Sequence, residues 1–274
     1  MTVPTIDYGD ELGLRRHVQR NTPVVVGGLG ADRAAVLEWT AESLRSALGS
    51  QPVPVIESRS PYLSYERNVQ DMPFDQFVER CFGTERGDVH LYFKNSTDLL
   101  PGGMDDSDRL TRLAPYICRA MVRNLWISGP GLTVGLHFDP AENLNIQLRG
   151  RKRFMLYPPG VRSFYPMPLL SQTSHISRVF REGPELDAAR FPRFDPRAAT
   201  EVTLEEGQVL YLPAYWWHRV DSLGEENINL NFWWLPDAAK QALHPSQALR
   251  GYVGLLIRRL KFGSIAKAAE SGDR

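Results

Sequence analysis

The spacing of apolar residues changes along the chain near residue 85. Before that point, helical spacing recurs in DELGLRRHVQRN, WTAESLRSALG and MPFDQFVERCF, and the β-branched run TPVVVGGL predicts a strand. After it come short stretches rich in β-branched and aromatic residues, separated by Gly and Pro: VHLYFKN, RNLWISG, TVGLHFD, NLNIQLRG, KRFMLYP, EVTLEEGQVLYLP and NINLNFWWLP. This alternation predicts a mainly β protein with flanking helices, built as a sandwich or barrel of two sheets.

Three regions follow from this pattern. We expect N-terminal α/β elements in residues 1–85, a barrel in 86–236 and a C-terminal helical segment in 237–274. Inside the barrel region, residues 159–200 hold many prolines and little periodicity, which is typical of a long excursion between two halves of a barrel.

The C-terminal segment carries an apolar stripe at helical spacing, formed by Leu249, Val253, Leu256, Ile257 and Leu260. Such a helix either packs on its own barrel or forms a contact across a twofold axis with a second copy. The sequence leaves both interpretations open.

Composition narrows the classes of partner. The 274 residues contain 32 Lys and Arg against 32 Asp and Glu, so the formal net charge is zero. A neutral chain has no overall field to recruit nucleic acid or an anionic membrane. Two cysteines make no disulfide framework, the start of the chain lacks signal-peptide features, and no run approaches the roughly 20 apolar residues of a membrane span. We therefore expect a soluble cytoplasmic protein without a membrane or nucleic-acid partner.

A candidate metal site begins in TVGLHFD. His137 and Asp139 lie two residues apart, so on a strand both side chains face the same side. An H-x-D triplet alone arises often by chance, but LPAYWWHRV supplies His218 in a distant strand. If the shared face is the barrel interior, the three form a two-histidine, one-carboxylate set that suits non-haem Fe(II). Zinc remains chemically open.

A basic cluster follows this candidate site. Gly150 is expected where two strands reverse, and across such a turn Lys152 would point inward while Arg151 and Arg153 point outward. A lysine inside a barrel is costly unless it meets an anion. The alternative is a solvated hairpin tip, and the spacing favours neither.

Four stretches, in order, carry a family resemblance: HFDPAENLNIQLRGRKRFMLYPP, ARFPRFD, EEGQVLYLPAYWWHRVDSL and INLNFWW. They resemble the JmjC and cupin-like 2-oxoglutarate-dependent oxygenases, and among these the asparaginyl hydroxylases, over about Val89 to Pro236. The resemblance implies a double-stranded β-helix, the cupin or JmjC jelly-roll barrel. It also implies hydroxylation of a C–H bond with Fe(II), 2-oxoglutarate and O2, releasing succinate and CO2.

Site residues follow from the resemblance. It implies that iron is held by His137, Asp139 and His218. The distal carboxylate of 2-oxoglutarate would be bound by Lys152 and Tyr92, and the polar residues near the cosubstrate and iron would be Asn143 and Asn231.

One position departs from the family pattern. The relatives usually carry a threonine three residues before the first histidine ligand, where this chain has Val134, with Thr133 one residue earlier. Either the anion pocket lacks that hydroxyl, with weaker cosubstrate binding, or a bulge returns Thr133 to it.

The substrate is the least determined feature. The resemblance favours a peptide or protein side chain. Other classes compatible with the scaffold are a small natural product or amino acid, a modified RNA base and methylated lysine, and the rival without catalysis is a metal-binding cupin. Alternation places Trp216 on the ligand face beside His218, and Trp217 outside it as a packing residue. An open groove near the metal, able to hold an extended peptide, is expected from the excursion at residues 159–200 together with Tyr215 and Trp216.

Overall fold

The computed structural model describes residues 2–29, 39–63, 68–83, 89–100, 110–160, 162–180, 183 and 185–257. Its strands are β1 Thr5–Asp7, β2 Val24–Gly27, β3 Pro52–Ser58, β4 Tyr62–Leu63, β5 Asn68–Pro73, β6 His90–Ser96, β7 Val122–Ser128, β8 Thr133–Phe138, β9 Glu142–Tyr157, β10 Thr200–Leu204, β11 Val209–Leu212 and β12 Trp217–Trp234. Its α-helices are α1 Glu11–Arg20, α2 Ala41–Leu48, α3 Phe74–Phe82, α4 Ala114–Ile117, α5 Ala238–Leu243 and α6 245–257. Short 3-10 helices occupy Thr97–Leu99 and Pro196–Ala198.

The barrel is organised by two long antiparallel strands, β9 and β12, which pair along most of their lengths. The first half of β9 also pairs with β11 and its second half with β10. β12 pairs with β8 through its first part and with β7 through its last part. Two layers result, β4-β8-β12-β9-β10 and β5-β3-β6-β7-β12-β9-β11-β2-β1. This is the predicted double-stranded β-helix, so the predicted fold class is confirmed.

The predicted strand reversal at Gly150 is wrong, because β9 runs through this glycine without a turn. Gly150 has a φ of 67°, and a Cβ there would lie 2.0 Å from the carbonyl oxygen of Glu226. The register between β9 and β12 shifts between Leu223 and Ile228. The glycine therefore belongs to a bulge-like irregularity at which the strand pair passes from one layer to the other.

The N-terminal elements continue the barrel sheet. The three predicted helices are α1, α2 and α3, and the predicted strand is β2. β2 pairs with β11, while β3 pairs with β6. Helices α2 and α3 pack on this sheet through a core that includes Leu44, Phe74 and Phe77. The sheet joins strands on both sides of residue 85, and the proposed boundary there stays a prediction.

The excursion and the C-terminal helices pack on the barrel beside β8 and beside the segment that precedes β12. Within the described part of residues 159–199, strand pairing is limited to isolated bridges, one of which joins Ile176 to His137, and Thr200 begins β10. α5 and α6 agree with the helical pattern as far as residue 257, and Leu260 lies outside the described residues. In the described ranges, no helix has both the length and the apolar character that a membrane crossing requires. The cytoplasmic location stays a prediction.

Candidate metal centre and cosubstrate pocket

The structure brings the three predicted metal ligands together at one end of the barrel. His137 lies on β8, Asp139 directly follows that strand, and His218 is the second residue of β12. Each offers one ligand atom, and these atoms all lie within 4.8 Å of one another. The imidazole centroids are 4.1 Å apart, and Asp139 Oδ2 lies 3.6 Å from His218 Nε2.

Backbone pairing sets this arrangement. His137 and His218 are register partners in the antiparallel pair of β8 and β12. The backbone amide of Tyr215 donates to the carbonyl of Asp139 at 2.9 Å, which joins the segment after β8 to the segment before β12. Tyr215 takes a left-handed φ of 71° at this junction. The ligands of two strands distant in sequence are thus held by main-chain geometry.

Both histidines are oriented by carbonyl oxygens. His137 Nδ1 lies 2.7 Å from the carbonyl of Gly135, and His218 Nδ1 lies 3.0 Å from the carbonyl of Trp216. A carbonyl only accepts, so each Nδ1 carries the proton and each Nε2 keeps its lone pair for a metal. Burial, and to a smaller extent the neighbouring His218, holds the pKa of His137 well below its usual value. This imidazole is therefore neutral and ready to act as a ligand.

A cavity extends from the ligands into the barrel and contains Lys152 in its wall. Its lining residues are Tyr92, Trp126, Val134, His137, Asp139, Asn143, Lys152, His218, Val220, Ser222, Asn229, Asn231 and Trp233. Lys152 is 6% exposed, and burial lowers the pKa of its ammonium to about 7. Within the described part of the chain, this ammonium has no hydrogen bond or ion pair. Arg151 and Arg153 point outward, as predicted.

Other polar groups of the cavity wall are also without partners. Atoms of Asn143, Asn231, Trp126 and Trp233 are buried and make no hydrogen bond among the described residues. Buried polar groups are normally paired, so several such groups around one cavity point to a polar ligand. An unpaired ammonium beside a nitrogen and carboxylate donor set fits a dicarboxylate that also chelates a metal ion. Tyr92 lines the same cavity, 2% exposed.

Thr133 does not reach this pocket. Its hydroxyl donates to Asp221 at 2.8 Å, and Asp221 also accepts from Arg153 and Arg219 on the outer face of the barrel. Its neighbour Val134 lines the cavity instead. The candidate role of Thr133 in cosubstrate binding is therefore corrected: the register between β8 and β12 shifts between His218 and Val220, so Val134, three residues before His137, lies on the inner face and the hydroxyl of Thr133 lies outside.

The tryptophan pair before His218 also differs from expectation. Trp216 packs beside Val25 and Leu156, and its indole N–H donates to the carbonyl of Asn21 at 2.9 Å. β12 begins only at Trp217, so strand alternation does not extend back to Trp216. Trp217 is a buried packing residue stacked on Phe164, as predicted.

Tyr215 and Trp216, from which part of an open groove is expected, do not line the described cavity. Tyr215 is itself buried, and its ring packs against Phe138 and His244.

A buried network next to the site was missed by sequence reasoning. Glu142 accepts from the Tyr211 hydroxyl at 2.7 Å, from the Ala214 amide at 3.2 Å, and from the ammonium of Lys240. It lies between Asp139 and Asn143 in sequence and links them to β11 and α5. No sequence signal could have found it, since the partners are 69 to 98 residues from Glu142.

A double-stranded β-helix with two histidines and one carboxylate at its open end defines a metal-binding cupin barrel. The chain belongs to the cupin-like domain family, whose model matches residues 10–240. This confirms the predicted membership, while the narrower likeness to asparaginyl hydroxylases stays a prediction.

Three curated relatives show the range of the family. The chain is 33% identical over 225 residues to lysine-specific demethylase 8 of Danio rerio, covering 77% of this chain and 53% of the relative. It is 27% identical over 237 residues to lysine-specific demethylase JMJ30 of Arabidopsis thaliana, covering 82% and 52%. It is 29% identical over 251 residues to tRNA wybutosine-synthesizing protein 5 of Gallus gallus, covering 85% and 76%. The chain thus spans about half the length of the two demethylases.

Proposed function

We propose that this chain is an Fe(II)- and 2-oxoglutarate-dependent oxygenase that hydroxylates a C–H bond of a peptide or protein side chain. The observation that carries the proposal is one cavity with a metal donor set at its mouth and the unpartnered ammonium of Lys152 in its wall. A metal-binding cupin without catalysis would have no use for a buried unpaired cation, which costs folding free energy.

Each group of the site has a distinct role in this chemistry. Bound Fe(II) supplies the activation of O2, coupled to conversion of 2-oxoglutarate to succinate and CO2. His137, Asp139 and His218 would hold the iron, and such a donor set suits a metal ion that must also bind a cosubstrate and oxygen. Lys152 neutralises the distal carboxylate of 2-oxoglutarate, and Tyr92 contacts the same group. The indoles of Trp126 and Trp233 narrow the mouth and exclude water from the reacting atoms.

A peptide substrate is supported by the surroundings of the mouth. The excursion lies along β8: Phe138 N donates to His175 O at 3.1 Å, and Ser177 N donates to Leu136 O at 2.9 Å. It therefore runs directly beside a strand that bears a metal ligand, and we expect an extended substrate chain to reach the metal over this segment. Two of the relatives carry names that describe action on lysine.

The test incubates the purified protein anaerobically with Fe(II), then adds 2-oxoglutarate, O2 and a peptide library. We expect succinate to form and a peptide to gain the mass of one oxygen atom, with Asp139→Ala as the matched inactive variant. Efficient oxidation of a free amino acid or metabolite, with no peptide modified, would replace the peptide by a small-molecule substrate. Absence of succinate under every condition would overturn the oxygenase assignment.

A second candidate substrate is a modified tRNA base. It is favoured by the relative of which the chain covers the largest share among the three described, which is named for tRNA wybutosine synthesis. The zero net charge argues against it, since binding to RNA depends on neutralising phosphates. Bulk tRNA in the same assay, followed by nucleoside mass spectrometry, decides between the two.

A further inference from the structure

Lys94 lies over the indole rings of two residues that line the cavity, Trp126 and Trp233. Its Nζ is 4.2 Å from the ring centroid of Trp126 and 4.9 Å from that of Trp233. The two rings are 6.4 Å apart and inclined by 45°. Both distances fall inside the roughly 6 Å range of a cation–π contact. The ammonium of Lys94 thus covers the aromatic faces on which a substrate ammonium would otherwise bind.

Strand geometry fixes this position. Lys94 lies two residues after Tyr92 on β6, so both side chains are on the inner face, and Lys94 is the register partner of Trp126 on β7. The placement does not depend on a loop. A solvated lysine stacked by chance would not be held between two strands in this way.

Two unpartnered hydrogen-bond donors lie in the wall of the same cavity. The indole nitrogens of Trp126 and Trp233 are buried and have no hydrogen-bond partner among the described residues. An indole N–H only donates, and an ammonium only donates. The group that satisfies these two indoles must therefore be a hydrogen-bond acceptor, such as an amide carbonyl or a carboxylate. The Oδ1 atoms of Asn143 and Asn231, also unpartnered in this cavity, require a donor.

We propose that Lys94 is a specificity-determining residue that admits a neutral or anionic acceptor-bearing side chain and excludes an alkylated ammonium. This inference rests on the proposed function, because it names the substrate class of the same site. It separates this chain from the substrate class in the names of the two demethylase relatives. The unpartnered indole N–H groups favour a substrate that carries an acceptor. The rings already covered by Lys94 disfavour a substrate that carries an alkylated ammonium.

The first test measures ligand binding and needs no turnover. Protein with ¹⁵N-labelled tryptophan is titrated with tetramethylammonium, with and without Zn(II) and 2-oxoglutarate, and the Nε1–H resonances of Trp126 and Trp233 are followed. We expect no saturable shift in wild type or in Lys94→Arg, which keeps a cation over the rings. In Lys94→Ala the aromatic faces are open, and tetramethylammonium should produce a saturable shift of both indole resonances, at least about tenfold tighter than the detection limit for wild type.

A second probe covers the case in which Lys94→Ala does not fold. Sodium acetate is titrated into wild type and Lys94→Met with 2-oxoglutarate bound, so that Lys152 is already engaged. Acetate should shift the two indole N–H resonances in wild type and bind several-fold more weakly in Lys94→Met. Saturable tetramethylammonium binding by wild type at the affinity of Lys94→Ala, or equal acetate binding by wild type and Lys94→Met, would overturn the inference.

Turnover then tests the consequence with four peptides that differ only in one residue: Asn, Asp, Lys or trimethyl-Lys. Wild type should oxidise the Asn or Asp peptide at least about tenfold faster than either lysine peptide, and Lys94→Met should narrow this ratio. Preference of wild type for a lysine peptide would contradict the inference while supporting the proposed function. Absence of succinate with every peptide and without peptide would remove the proposed function, and the two titrations would still decide the role of Lys94.

Discussion

Two backbone carbonyls determine which nitrogen of each ligand histidine faces the metal. Because Gly135 and Trp216 hold the Nδ1 protons, removal of an imidazole takes away one ligand without disturbing a packing residue. We predict that His137→Ala and His218→Ala each lose Fe(II) binding and turnover while keeping the wild-type circular dichroism spectrum. Anaerobic calorimetry with Fe(II) measures this, with His90→Ala as the control. Unchanged affinity in both variants would contradict the assigned ligand set.

Lys152 sets the affinity for 2-oxoglutarate in the proposed site. A charge-assisted hydrogen bond in a buried pocket contributes about 1.5 to 3 kcal/mol, or roughly ten- to a hundredfold in binding. Lys152→Ala should raise the 2-oxoglutarate concentration needed for half-maximal succinate formation by about that factor, with iron affinity unchanged. Arg151→Ala, an exposed neighbour, is the matched control. A neutral effect of Lys152→Ala would assign the lysine a structural role only.

Burial of the same ammonium makes the stability of the ligand-free protein depend on pH. The pKa of Lys152 is lowered to about 7, while an unfolded lysine titrates near 10.4. Between these values the unfolded chain binds more protons, so the free energy of unfolding rises with pH, by up to about 1.4 kcal/mol per unit. Urea unfolding at pH 7, 8 and 9 should show this rise in wild type and a smaller one in Lys152→Met. Parallel curves for the two proteins would contradict it.

At this scale, prediction succeeded where two residues are close together on one stretch of strand, as for His137 and Asp139, which both line the cavity. Lys152 faces the cavity as predicted, but the change of phase between Asn143 and Lys152 comes from the irregularity at Gly150 rather than from a turn.

Prediction failed at Trp216, which precedes β12 and follows the left-handed Tyr215. The register shift between β8 and β12 explains why Val134 lines the cavity, but the partner of Thr133 could not be read from the sequence, because Asp221 is 88 residues away.

At the scale of secondary-structure elements, whether a segment is a helix or a strand was easier to predict than where the element ends. Gly150 and Gly224 both have positive φ, and in sequence such glycines are typical of turns. In the fold they lie within β9 and β12, where long strands pass between layers. A local pattern does not distinguish a reversal from a bulge, since the partner strand decides which of them forms.

Helix α5 is joined to the metal site through the buried pair of Lys240 and Glu142. Lys240→Met leaves a buried carboxylate without its cation, which should lower the free energy of unfolding by about 3 to 5 kcal/mol. It should also weaken iron binding, because Glu142 fixes the chain between Asp139 and Asn143. Urea unfolding measures stability and calorimetry measures iron affinity.

A matched set of variants separates this pair from a general charge effect. Glu142→Gln combined with Lys240→Met should recover much of the stability, because no unpaired charge remains. Arg112→Met breaks the exposed pair with Glu11 and should cost less than about 1 kcal/mol. Equal losses in the free energy of unfolding for Lys240→Met and Arg112→Met would show that the buried pair stabilises the fold no more than an exposed pair.

For the whole molecule, the sequence pattern predicted the two-sheet barrel. It did not predict how the N-terminal strands and the C-terminal helices pack on that barrel. β2 and β3 extend the barrel sheet, and the family model reaches back to residue 10. Gln247 Nε2 donates to the carbonyl of Tyr215 at 2.6 Å, so α6 supports the segment before His218. These contacts join segments far apart in sequence, and apolar periodicity records which face is buried but not what covers it.

The C-terminal helix both packs on its own barrel and leaves an apolar face exposed. Ala248 is buried and Gly251 lies against Pro140, whereas Leu249 and Leu256 are 51% and 58% exposed. We predict that this face forms a twofold dimer contact, since one helix presents it in self-complementary form to a second copy. Light scattering at micromolar concentration should show a dimer that Leu249→Glu with Leu256→Glu converts to monomer.

The matched control for this prediction is Leu170→Glu, which adds one negative charge at another exposed leucine and should leave the dimer intact. Truncation after Pro236 is unsuitable, because it would remove Lys240 and Gln247 and so disturb the metal site together with the helix. A wild-type monomer at micromolar concentration would assign the exposed leucines of α6 to a different contact. A dimer that survives the double substitution would place the interface on another surface.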